Sequence, residues 1–156
     1  MRTIRLALVI AISLAGVHEA SAQGGLTQAQ RDAILGYSLT LDRANHLIAA
    51  MSAVSQYLVS QSDYQERLAR SAKLTAAEQA AQMEKDPKVS AILKENGLTA
   101  RDYLIGVPTL RMALLSAQGL ASPNIVASPA NVAFAKANLA QLKPKMDQAD
   151  GLGRRK

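Results

Sequence analysis

TLDRANHLIAAMSAVSQYLVSQ, running from Thr40 to Gln61, carries apolar or small residues at Leu41, Ala44, Ile48, Met51, Ser55 and Leu58. That 3-4-3-4-3 spacing draws one stripe along an α-helix, widened by Leu47 and Val54. The same rhythm recurs from Ala100 to Gln118 at Ala100, Tyr103, Val107, Leu110, Leu114 and Ala117, with Leu104 and Leu115 alongside. A third stripe runs through Val132, Ala135, Leu139, Leu142 and Met146. Composition agrees: 29 of the 156 residues are alanine, the best helix former, and aromatic residues are only 3%. The chain reads as all-α.

Punctuation divides it. Thr75 with Glu78, and Thr99 with Asp102, place a hydroxyl three residues before an acid, the spacing of a capping box. Asp86-Pro87 and Ser128-Pro129 read as an N-cap followed by proline in the first turn. Gly97 and Gly119 stand where left-handed C-terminal caps are wanted. These marks predict helices over about 27–36, 40–60, 63–73, 76–85, 87–95, 100–118 and 129–148. They belong to one compact single-domain bundle of five to seven helices, with the sixth kinked at Pro108 and the last bent or ended at Pro144. Tyr37 to Leu41 alternates like a strand, but a lone strand has no partner, so it is read as the lead-in to a helix. The triplet beginning Leu-Thr at residues 26, 74 and 98 is repeated capping, because the flanking residues do not repeat with it.

The first 22 residues have the layout of a secretory signal. Arg2 and Arg5 precede an uncharged run from Leu6 to Val17, and Ala20-Ser21-Ala22 offers a cleavage site before Gln23. The run is too short to span a bilayer, which takes roughly 20 residues. The expectation is therefore an exported protein, periplasmic or extracellular, with a signal at 1–22, a helical domain at 23–148 and a basic flexible tail at 149–156.

Lys and Arg outnumber Asp and Glu by 18 to 12. Much of the excess lies late, in Lys136, Lys143, Lys145, Arg154, Arg155 and Lys156 against Asp147 and Asp150. A basic tail is a weaker sign of nucleic-acid binding than a basic face, so no nucleic acid is expected. Anionic lipid, lipopolysaccharide or cell-wall polymer suits an exported tail better, as a weak surface contact.

Two resemblances attach to these capped segments. Leu26-Thr27-Gln28-Ala29-Gln30-Arg31 resembles the LTxxQ element of the Spy/CpxP family of periplasmic helical chaperones, and Leu74-Thr75-Ala76-Ala77-Glu78 departs from it at its last residue. Asp86-Pro87, followed by Gly97-Leu98-Thr99-Ala100-Arg101-Asp102-Tyr103, resembles small exported bacterial α-helical proteins without an assigned activity. Together they imply a helical exported domain, and the first implies a holdase as an alternative function. Neither assigns a functional residue.

The absence of cysteine excludes disulfides, thiolate metal sites and a catalytic thiol. His46, the one histidine after the signal, lies about 200° around its helix from Ala44 and reads as a surface imidazole near Asp42. Met51, Met83, Met112 and Met146 read as packing residues rather than axial ligands, so no cofactor and no metal are expected. There is no GxSxG, SxxK or phosphate-binding glycine motif. Asp63 with Glu66, and Glu84 with Asp86, have Arg67, Arg70, Lys85 and Lys88 beside them and read as a salt-bridged surface. A cell-wall-acting hydrolase is the alternative from another class.

The candidate site is on the sixth helix. Gly106 and Pro108 cost about 1 and 3 kcal/mol relative to alanine inside a helix. A bend there would open a groove lined by Leu104, Val107, Pro108 and Leu110, with Arg101 and Arg111 at its flanks, for a peptide or apolar ligand. The expectation is a non-catalytic interaction protein, its oligomeric state left open.

Overall fold

The computed structural model describes residues 27–120 and 126–152. The signal and Arg154, Arg155 and Lys156 of the basic tail lie outside the described residues, as does 121–125 of the sixth connection. The described chain is all-helical: α1 (Gln28–Gly36), α2 (Leu41–Ser60), α3 (Tyr64–Ser71), α4 (Ala76–Lys85), α5 (Pro87–Glu95), α6 (Ala100–Ala117) and α7 (Pro129–Leu152).

The starts are made by local hydrogen bonds. Thr27, Thr75 and Thr99 each accept from a backbone N–H three residues on, and Gln30, Glu78 and Asp102 return a bond to the threonine N–H. The LTxxQ element is thus the capping box of α1. The stops are local too. Gly97 and Gly119 have φ of 64° and 78°, and after each the next N–H donates back, Leu98 to the Leu93 carbonyl and Leu120 to that of Leu115.

α6 and α7 pack on α2, α1 and α4 lie on α6, and α5 joins α2 to α4. The core runs through Leu47, Ile48, Met51, Val54, Val107, Leu110, Leu114, Leu142 and Met146. Leu41, assigned to the α2 stripe, is instead 39% exposed, because it stands in the first turn at the rim. Ile105, Thr109 and Ala113 are buried although they lie off the α6 stripe. α6 is central, so neighbours cover it on several sides.

One expectation about the prolines changes. α7 continues through Pro144 to Leu152, past the expected end at 148, so the flexible tail does not begin at 149. Pro144 and Ala140, whose carbonyl loses its donor, are both exposed, where water can serve that oxygen. Beyond it, Ala149 is buried and Asp150 pairs with Arg111. The alternating segment at Tyr37 to Thr40 forms no strand and leads into α2, as expected, with Tyr37 and Thr40 in extended conformation. Its partner is a side chain: Asn131 Nδ2 donates to the Tyr37 carbonyl at 2.7 Å, and its Oδ1 accepts from Leu39 N–H at 3.1 Å. A buried carboxamide from α7 thus supplies the pairing that a second strand would give.

Candidate binding trough between α2 and α7

The expected groove on α6 is filled by the protein itself. Leu110 is fully buried, Leu104 and Val107 are buried, Pro108 is half-buried, and Arg101 alone of the six residues is exposed. Arg111 is half-buried and bound to Asp150, with Met51 Sδ at 3.8 Å. Leu104, Val107 and Leu110 are covered by neighbouring elements rather than open to solvent. Gly106 explains why the helix is unusual there. A Cβ at this position would lie 2.7 and 2.8 Å from the Leu47 methyls and 2.7 Å from the Tyr37 hydroxyl. The glycine admits neighbouring side chains, so the site is a packing site. Thr109, one residue past Pro108, donates its hydroxyl to the Ile105 carbonyl at 2.7 Å and stays satisfied in the core.

The candidate acids are committed elsewhere. Arg67 Nε donates to both Asp63 oxygens at 2.9 and 2.8 Å, which holds that carboxyl below its usual range. Arg67 Nη1 also donates to Asp86 at 3.2 Å, as does the Tyr57 hydroxyl at 3.3 Å, while Asp86 caps α5 through Lys88 N–H and Val89 N–H. This network ties α3, which buries no residue of its own, to α2 and α5. Glu66 and Glu84 are exposed. His46 is exposed, 3.8 Å from Asp42. Among the described residues no group of three or more His, Cys, Asp or Glu could hold a metal ion.

An open trough of about 430 Å³ lies between α2 and α7. Asn45, Ile48, Ala49, Ser52 and Gln56 recur along one stripe of α2, and Lys145, Gln148 and Leu152 along the facing stripe of α7. The short side chains of Ala49 and Ser52 cannot reach the opposite helix, which leaves the space between them unfilled. Ile48, Ala49 and Leu152 make its apolar lining, and the carboxamides of Asn45, Gln56 and Gln148, the Ser52 hydroxyl and the Lys145 ammonium its polar lining. Lys145 Nζ donates to Asn45 Oδ1 at 2.8 Å, and Asn45 Nδ2 donates to the Leu41 carbonyl at 2.9 Å. The trough brings together none of the six residues expected from sequence. Its two walls are a hundred residues apart, and no short motif joins them.

Comparison with known proteins gives no relative: no family model, no curated protein and no solved structure matches the chain.

Proposed function

We propose that the chain is a non-catalytic, exported helical binding protein that captures its partner in the trough between α2 and α7. Residues 1–22 act as a cleaved signal, and the mature chain forms one compact bundle. In this reading α6 bends at Pro108, where the Leu104 carbonyl lacks a helical donor, and the bend seats Gly106 against Leu47 instead of opening a cleft. The observation that carries the proposal is the trough itself. It joins an apolar lining to uncommitted hydrogen-bonding side chains such as Ser52, Gln56 and Gln148, whereas Asp63, Asp86 and Asp150 are engaged in ion pairs.

A photo-crosslinking residue at Ala49 tests this in the exported fraction, beside the same residue at Ala137 on the exposed side of α7. A defined crosslinked partner at Ala49 and none at Ala137 is the expected result. The same adducts at both positions, or none at Ala49, rejects the trough as the binding site. Mass spectrometry of the same sample should find Gln23 as the N-terminus, and intact precursor held in membranes would overturn the export reading.

A further inference from the structure

The trough is chemically lopsided. Lys145 is its one charged side chain, no acid lines it, and the charge stands at one end, opposite Asn45, the first residue of the α2 stripe. Four of the other described lysines and arginines, Arg67, Arg70, Arg111 and Lys143, have carboxylate partners. Lys143, two residues earlier on α7, reaches Asp147 at 2.5 Å, Arg67 holds Asp63, and Arg111 holds Asp150. Lys145 has a neutral carboxamide oxygen instead. That oxygen is turned toward the ammonium because the amide nitrogen of Asn45 is engaged by the Leu41 carbonyl. A carboxylate arriving here exchanges a neutral acceptor for a charged one, and a charge-assisted bond is roughly twice as strong as a neutral one.

The remaining lining fits a polypeptide backbone. Carboxamides at Gln56 and Gln148 can both donate and accept, as a chain of peptide groups requires. No tyrosine lines the trough, so it lacks the aromatic platform on which a sugar face would stack. The stripe from Asn45 to Gln56 is about 16 Å long at 1.5 Å per residue, the span of roughly four or five extended residues. Because the cation stands at the end of this run, it matches a terminal carboxylate better than an acidic side chain in mid-peptide. Resting on the binding function argued above, we infer that the trough takes the carboxyl-terminal end of an extended peptide, its free α-carboxylate on Lys145 and its backbone running toward Gln56 and Leu152.

The test is a nuclear magnetic resonance titration of the exported protein with acetyl-Ala-Ala-Leu-Ala bearing a free carboxylate, beside the same peptide as its C-terminal amide. The free acid should shift the backbone resonances of Asn45, Ser52, Gln148 and Leu152 and bind about fivefold or more tightly than the amide, a difference that shrinks at high salt. Lys145→Gln should bring the acid down to the affinity of the amide with an unchanged melting temperature. Lys136→Gln, exposed on α7 outside the trough, should leave the preference intact. Equal binding of acid and amide, shifts confined to another face, or no shift with either peptide overturns the inference. A partner crosslinked at Ala49 by a protein that ignores the carboxylate would retain the binding function and reject the peptide-terminus assignment alone.

Discussion

Gly106 has no room for a methyl group, and its surroundings decide what a substitution does there. Leu47, whose methyls a new Cβ would meet, is fully buried, and the Tyr37 hydroxyl on the other side is buried without a hydrogen-bond partner. Alanine gains about 1 kcal/mol of helix propensity over glycine. Overpacking a filled core costs about 1–3 kcal/mol, and a fully enclosed leucine has nowhere to retreat. The clash wins. Gly106→Ala should lower the urea midpoint, whereas Pro108→Ala, two residues on and half-buried, should leave it level or raise it by restoring a backbone donor. A Gly106→Ala protein as stable as the wild type would show that Leu47 and Tyr37 can move aside. The sequence marked both residues as costly and so located a special place in α6. It could not say whether the cost served a ligand or a neighbour, because Leu47 and Tyr37 approach from other parts of the chain.

Helix boundaries were legible because their causes are local. Thr75, Glu78, Asp86, Pro87 and Gly97 each act within a few residues of themselves, so their order along the chain announces α4 and α5. What lies between helices was not legible. Asn131 pairs with backbone more than ninety residues away, and Lys145 meets Asn45 across a hundred. The same long reach makes α7 the closing element. It packs on both α2 and α6, buries Ala135, Leu142, Met146 and Ala149, and holds the Tyr37–Leu39 backbone and Arg111 at its two ends. Burying Leu142 and Met146 contributes about 1.5–3 kcal/mol each, a large share of the roughly 5–15 kcal/mol by which a domain is stable. A chain ending at Ser128 should therefore lose its cooperative thermal transition and expose Leu110 and Leu47 to an apolar dye. A sharp melt, with helix content reduced only by the missing residues, would mean that α1–α6 fold without the strap.

At the scale of the whole molecule, Tyr37, Tyr57 and Tyr103 couple folding to alkaline pH. Burial raises the Tyr103 hydroxyl well above its ordinary value of 10.0, against a smaller opposing pull from Arg111. Burial also raises Tyr37, with Arg43 stacked 5.3 Å over its ring pulling the other way, and Tyr57 is raised by desolvation and by Asp86. Each group keeps its proton in the folded chain at a pH where the unfolded chain releases it. Between the unfolded and folded values the folded state therefore binds more protons, and stability falls as pH rises. The contribution is complete below about pH 10 and is lost above it, with a slope for Tyr103 that approaches about 1.4 kcal/mol per pH unit. The chain has no tryptophan, so the near-ultraviolet signal of tyrosinate reports these groups cleanly. In an alkaline titration the last part of that signal should appear together with the loss of helical circular dichroism, not before it. Tyr103→Phe keeps the ring in place and removes the hydroxyl with the most strongly raised value, so the unfolding midpoint should move to higher pH. An unmoved midpoint, or full tyrosine ionisation while the helices persist, would show that Tyr103 gives up its proton without unfolding and that its burial does not set the alkaline limit of the fold.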